Sequence, residues 1–313
     1  MASPTPKPSK RRPQPSPPPE TIDPMWLVKA IAAAVVLAIV CGYLALCLLF
    51  YQGQWQLVLH PVRTTAAPQT IAGAPYQLIH FGPDESAIPQ LAGWWIPAAA
   101  RGRYPDATVL FLPAGDGSLA DSISTLAALH SLGINVFAFD YRGYGQSANT
   151  RPNQQKMMRD SDSAWQYLTD SRAVPAKEIV PYGTGTGAAL AAHLAIAHPA
   201  IPALILDSPH TDLLAAASRD PRSSLIPISL LFHENFSLAK PLKSLRTPKL
   251  LLSNPKSPDQ SAAAFRTASE PKIAAEIAMP TDPLYAESIT KFLDRYLSPA
   301  PDSRLVPSPA PTR

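Results

Sequence analysis

The stretch that decides the fold is EIVPYGTGTGAALAAHLAIAH, residues 178–198 of a 313-residue chain. It opens with a short apolar run and continues through Gly183-Thr184-Gly185-Thr186-Gly187 into a segment rich in alanine and leucine. Glycine marks turns and element boundaries, whereas alanine and leucine favour helix. The stretch therefore predicts a strand, a tight turn and a helix in immediate succession.

Similar apolar runs lie on both sides of this stretch and alternate with helical patterns. Continuous runs such as VLFL at 109–112 and NVFAFD at 135–140 are typical of strands that are buried on both faces. The predicted strands are Tyr76–Phe81, Leu91–Ile96, Thr108–Leu112, Asn135–Asp140, Glu178–Tyr182, Ala203–Asp207, Lys249–Ser253 and Lys272–Ala278. The predicted helices are Leu119–Leu132, Asn153–Ser171, Thr186–His198, Ser257–Ser269 and Leu284–Leu297.

This alternation predicts an α/β fold with a mostly parallel eight-stranded sheet and helices on both faces. We expect the folded domain to span residues 73–297, with the weakly patterned residues 208–246 as a small cap-like insertion. The proline-rich ends, residues 1–24 and 298–313, have little to bury, so we expect disordered tails there.

Residues 25–50 form an apolar segment in which Lys29 is the only charge. About 20 apolar residues suffice to cross a bilayer as a helix, so we expect an uncleaved transmembrane helix followed by a juxtamembrane linker over 51–72. Two lysines and two arginines precede the segment, while Arg63 is the only basic residue that follows closely. The positive-inside rule then places the N-terminus in the cytoplasm and the main domain across the membrane.

Composition excludes several other functions. The formal net charge is +4, half of which comes from the N-terminal tail, so nothing favours nucleic-acid binding. Both cysteines lie in the apolar segment, and the histidines show no metal-ligand spacing. We therefore expect neither a metal nor a cofactor.

Three motifs carry a resemblance to a known family. They are FDYRGYGQS at 139–147, LAGWWIP at 91–97 and ILDSP at 205–209. Over about residues 50–297 the chain resembles the α/β-hydrolase superfamily, in particular its single-pass, membrane-anchored, serine aminopeptidase-like and depalmitoylase-like branch. The resemblance implies the α/β-hydrolase fold.

The resemblance also implies a Ser–Asp/Glu–His triad, whose serine sits in a G-x-S-x-G turn between strand and helix. In this chain Gly185 occupies the serine position. Ser257 aligns with the acid, and Pro280 aligns with the histidine to within a residue or two. His233 is the last histidine of the chain, so the loop after the last strand cannot supply one.

The oxyanion loop of the family corresponds to Pro113-Ala114-Gly115-Asp116-Gly117. The backbone N–H groups of Ala114 and Thr186 are the candidate donors to a ligand pocket, because backbone donors do not depend on side-chain identity. Asp116 would disfavour an anion in that pocket.

Two functions remain open. The first is a non-catalytic pseudo-hydrolase at the membrane that binds or scaffolds through its cleft, with the bilayer and a protein or small-molecule ligand as partners. The alternative is an active esterase, thioesterase or peptidase with a relocated constellation, for which Ser208 and His210 are the candidates. A hydroxyl–imidazole separation near ~3 Å would favour this alternative.

Overall fold

A computed structural model describes residues 24–210, 213–218, 225–255, 265–266 and 268–297. The chain forms two compact units, Met1–Leu49 and Phe50–Arg313. Helix α1, Pro24–Gly53, supplies the described part of the first unit and continues a few residues into the second. Among the described residues it is the one helix that is long and apolar enough to cross a membrane.

The second unit is organised on an eight-stranded sheet. Its strands are β2 Gln77–Pro83, β3 Pro89–Ile96, β4 Tyr104–Leu112, β6 Ile134–Asp140, β7 Ile179–Thr184, β8 Leu204–Asp207, β9 Lys249–Ser253 and β10 Lys272–Glu276. They lie in the order β10-β9-β8-β7-β4-β6-β3-β2. Only the pairs that involve β3 are antiparallel. The predicted mostly parallel sheet and all eight of its strands are confirmed.

The α-helices that the structure describes in this unit lie between the strands, except for the last one, which follows β10. They are α2 Ile123–Ser131, α3 Gln154–Gln166, α4 Gly187–Ala197, α5 Leu213–Ser218, α6 Ile228–Leu231, α7 Ala239–Ser244 and α8 Pro283–Tyr296. Helix α3 continues as a π-helical turn to Ser171. Short helices α5, α6 and α7 lie in the segment that we predict to be a cap. Most of the predicted helix Ser257–Ser269 lies outside the described residues.

Each face of the sheet has its own core. Alternate residues of β4 point to opposite faces, as the period of a strand requires. Leu110 and Leu112 pack towards α3, α4 and the cap segment, while Val109 and Phe111 pack towards α2 and α8. Helices thus cover both faces, which explains why β4 is apolar from Val109 to Leu112.

The turn after β6 is fixed by two carboxylates. Asp140 accepts a hydrogen bond from the backbone N–H of Leu119 at 2.8 Å. Asp160 accepts two hydrogen bonds from Arg142, one from Nε at 2.6 Å and one from the backbone N–H at 2.9 Å. The FDYRGYGQS motif is therefore braced against both neighbouring helical segments.

The residues that follow α1 pack against the folded domain. Val58 and Leu59 are buried in the core on the α4 face of the sheet. Strand β1, His60–Pro61, pairs in parallel with β5, Asp116–Gly117. We call residues 58–63 the strap, because they bind this part of the predicted linker 51–72 to the domain.

Candidate functional site

The glycine-rich turn between β7 and α4 has the geometry of a nucleophile elbow without a nucleophile. Gly185 adopts φ +53°, in the left-handed region that glycine enters at little cost. Its backbone N–H donates to the carbonyl of Asp207 at 3.0 Å, which ties the turn to the end of β8. A Cβ atom at Gly187 would lie 2.2 Å from the carbonyl oxygen of Leu112. Glycine is therefore required there for α4 to pack against β4.

His210 lies beside the vacant side-chain position of Gly185. A Cβ atom at Gly185 would lie 3.5 Å from Cε1 and 3.7 Å from Nδ1 of the His210 ring, and 3.0 Å from Cβ of Ala114. The backbone N–H of His210 donates to the carbonyl of Gly185 at 3.2 Å. The loop after β8 thus brings an exposed imidazole next to the position where a side chain of residue 185 would begin.

We considered His210 as the partner of the Ser208 hydroxyl, whereas the structure shows Asp207 as its hydrogen-bond partner. Oγ of Ser208 donates to Oδ1 of Asp207 at 3.0 Å. Tyr182 donates to the other oxygen of Asp207 at 2.6 Å, and the hydroxyls of Tyr182 and Tyr285 lie 2.7 Å apart. Burial raises the pKa of Asp207, while these hydrogen bonds oppose the shift. The Ser208 hydroxyl therefore serves a network that joins β7, β8 and α8.

The oxyanion loop is held from three sides. The backbone N–H of Gly115 donates to Oγ1 of Thr186 at 2.7 Å, and the hydroxyl of Tyr144 donates to the carbonyl of Gly115 at 2.9 Å. A Cβ atom at Gly115 would lie 2.5 Å from Cδ2 of Leu59, so the strap packs directly on this loop. The sequence identifies Ala114 and Thr186 as candidate pocket residues, and the structure places both at the elbow. The contact of Leu59 with this loop is not predictable from the sequence.

Asp116 faces solvent at the edge of the same loop. Its Oδ1 lies 2.6 Å from Nδ1 of His60, and both side chains are more than half exposed. An exposed pair of this kind contributes little to stability. It does give the Asp116 carboxylate a partner in the strap rather than in the elbow.

Of the other two triad positions, Ser257 lies outside the described residues. Pro280 lies half-buried in the turn between β10 and α8, where its side chain can neither accept nor donate a proton. No cluster of three or more His, Cys, Asp or Glu side chains that could hold a metal occurs in the described part of the chain.

The juxtaposition of His210 and Gly185 is what the sequence alone does not reveal. We singled out His210 for its closeness to Ser208 in the chain. The signal that could have found the contact is sheet order, because β7 and β8 are neighbours and Thr184 pairs with Asp207. Residues that follow paired parallel strands emerge side by side.

Comparisons with known proteins agree with this architecture. The family model described as "Serine aminopeptidase, S33" matches residues 104–290, which is more than half of the chain. An uncharacterized protein of Mycobacterium tuberculosis strain H37Rv is 32% identical over 163 residues, 52% of this chain and 56% of that protein. Human alpha/beta hydrolase domain-containing protein 17C is 31% identical over 136 residues, 43% of this chain and 40% of that protein. The chain thus spans about half the length, or less, of these curated relatives.

Solved structures show the same fold at lower sequence identity. Esterase Pf2001 of Pyrococcus furiosus has a TM-score of 0.57 at 19% identity, covering 76% of this chain and 97% of the esterase. An alpha-beta hydrolase of Vibrio vulnificus has a TM-score of 0.54 at 19% identity, covering 70% of this chain and 79% of that structure.

Proposed function

Because the chain belongs to the serine aminopeptidase S33 family of α/β hydrolases, we propose that it is a membrane-anchored member that acts by binding rather than by serine-dependent hydrolysis. The observation that carries this proposal is Gly185, which holds the elbow conformation with no side chain. Serine hydrolysis requires an oxygen nucleophile at that point. The family's base position, Pro280, also lacks a group that could take its proton.

Loss of the serine is compatible with a well-formed domain. A non-glycine residue at φ near +53° costs on the order of 1–3 kcal/mol, and glycine removes that cost. The hydrogen bonds from Gly185 to Asp207 and from His210 to Gly185 still hold the turn in place. The cleft can therefore persist as a binding site for a protein segment or a small molecule.

The anchor in this proposal is α1. Its 30 residues extend to about 45 Å at ~1.5 Å per residue, more than the roughly 30 Å hydrocarbon core of a bilayer. None of its most apolar part is buried inside the protein.

Fluorophosphonate labelling of the purified full-length protein tests the proposal. We expect no labelling of the wild type above a heat-denatured control. The matched variant is Gly185→Ser, which adds a hydroxyl beside the His210 ring. We expect this variant to be labelled. The labelling should be slow, because no carboxylate orients the imidazole. Gly185→Ala has the same backbone strain without the hydroxyl and should stay unlabelled. Stoichiometric labelling of the wild type would refute the proposal.

A second candidate function is acyl hydrolysis in which His210 acts as a general base on water. The observation that favours it is the distance of 3.7 Å between Nδ1 of His210 and the Cβ position at Gly185. Because Gly185 has no Cβ, a water oxygen can enter this space and approach the ring to hydrogen-bond distance. This function predicts turnover of p-nitrophenyl esters that is lost in His210→Gln, with no fluorophosphonate labelling. Equal rates for wild type and His210→Gln would eliminate it.

A further inference from the structure

A small polar cavity lies where the chain leaves α1. Its volume is about 250 Å³, and its wall includes Tyr51, Trp55, Arg151, His233 and Glu234. Pockets for drug-sized ligands are usually larger, at ~300–1,000 Å³. The space therefore suits a compact polar group.

The walls of the cavity are fixed by hydrogen bonds between distant parts of the chain. The side chain of Gln54 is buried; it donates to the carbonyl of Leu231 at 3.0 Å and accepts from the N–H of His233 at 2.6 Å. Glu234 accepts from the backbone N–H of Gln154 at 2.6 Å, at the first turn of α3. The residues that directly follow α1, the start of α3 and the cap segment thus meet in one preorganised site.

The lining of the cavity carries one positive and one negative side chain, Arg151 and Glu234. The guanidinium of Arg151 is exposed and lies over the ring of Trp55, with 5.4 Å between Cζ and the ring centroid. Glu234 supplies a carboxylate that is 9% exposed. Arginine is suited to the paired oxygens of a phosphate, whereas a carboxylate accepts hydrogen bonds from an ammonium group. A simple anion would meet repulsion from Glu234.

We propose that this cavity binds the zwitterionic headgroup of a phosphatidylethanolamine-type lipid, with the phosphate on Arg151 and the primary ammonium on Glu234. The inference rests on the proposed membrane anchor. Tyr51 lies within one helical turn of the end of α1, and the calculated length of α1 places that end at headgroup depth. A primary ammonium fits better than a quaternary one, because it can donate to Glu234 and because Arg151 already covers a face of Trp55.

The test uses the full-length protein, purified and delipidated in detergent, and native mass spectrometry of retained lipids. Phosphatidylethanolamine, phosphatidylcholine and phosphatidylglycerol with identical acyl chains are the probes. We expect one phosphatidylethanolamine to be retained about tenfold more tightly than either of the others, as one extra charge-assisted hydrogen bond allows. Equal retention of the three lipids by the wild type would overturn the proposal.

Three variants assign the contacts. Arg151→Gln should lower retention of phosphatidylethanolamine tenfold or more, while Arg159→Gln removes the same charge from α3 outside the cavity and should change nothing. Glu234→Gln can still accept from Gln154 but should lose the preference for ethanolamine over choline. Equal losses in the two arginine variants would overturn the proposal, even if the variants of the elbow behaved as proposed.

Competition with a soluble headgroup shows whether the cavity binds a membrane lipid or a soluble metabolite. Glycerophosphoethanolamine should displace the lipid only at concentrations far above those of the lipid itself, because the acyl chains add to binding. Displacement at equal concentration would show that the source is a soluble metabolite and would overturn the membrane assignment. Fluorophosphonate labelling is independent of all these readouts, so failure here and failure of the proposed binding function can be told apart.

Discussion

Asp140 is an acid whose titration is coupled to folding. It is 6% exposed at the end of β6, and its carboxylate lies so close to Gly145 that a Cβ there would be 1.9 Å from Oδ2. Burial raises the pKa of Asp140 to about 6, against the opposing effect of the backbone hydrogen bond from Leu119. A buried carboxylate in this position costs folding free energy once it is ionised.

The sign of the pH dependence follows from that shift. Because the folded-state pKa lies above the ordinary value of 3.8, the contribution of Asp140 is fully present below pH ~4 and is lost as the pH rises through ~6. Relative to Asp140→Asn, which does not titrate there, we expect the unfolding free energy of the wild type to fall by about 2–3 kcal/mol between pH 4 and pH 7. Denaturant unfolding of both proteins across this range is the measurement. Parallel curves would contradict the prediction.

At the scale of elements, the strap fastens the end of α1 to the oxyanion loop. The backbone N–H of His60 donates to the carbonyl of Gly115 at 2.8 Å, and that of Val62 donates to the carbonyl of Gly117 at 2.9 Å. The guanidinium of Arg63 donates to the carbonyls of Tyr144 and Ser147 in the turn after β6. The strap therefore sets the shape of the loop next to the elbow.

Leu59 is the side chain that makes the strap part of the core. It is 1% exposed and packs against Gly115, whereas Leu57, two residues earlier, is 55% exposed. Leu59→Ala should destabilise the domain by about 2–4 kcal/mol, which corresponds to a drop in melting temperature of roughly 5–15 °C. Leu57→Ala is the matched control and should change it by less than about 2 °C. Thermal unfolding of the detergent-solubilised protein would measure both, and equal shifts would show that the strap does not stabilise the domain.

The elements differ in how well the sequence predicts them. Strands such as β4 and β6 are predictable, because a strand that is covered on both faces must be a continuous apolar run. The pairing of β1 with β5 is not, since each strand has only two residues and the partners are 56 positions apart. The contact between His210 and Gly185 does not follow from local periodicity either, because it depends on the order of the strands in the sheet. Local pattern thus predicts the scaffold, while the detail of the site arises from tertiary contacts.

At the scale of the whole molecule, the two units meet different solvents if α1 spans a bilayer. The side chains of α1 that the structure describes are largely exposed and apolar, with Lys29 the only charge before Tyr51. Exposed apolar surface of this extent is what the proposed anchor would place in the bilayer. The second unit, in contrast, buries its apolar residues in two cores of its own.

The anchor and its orientation can be tested with tags at the two ends of the chain. We expect the protein to stay in the membrane fraction after extraction at alkaline pH, with both tags present. Protease added outside intact cells should remove the C-terminal tag and spare the N-terminal one, because the positive-inside rule predicts a cytoplasmic N-terminus from the basic residues that precede α1. Loss of the N-terminal tag from the mature protein would instead identify α1 as a cleaved signal sequence.

Replacement of Lys7, Lys10, Arg11 and Arg12 by glutamine supplies the matched variant for the orientation. Removal of those charges should leave part of the population inverted, and an unchanged orientation would show that another feature of the chain determines it.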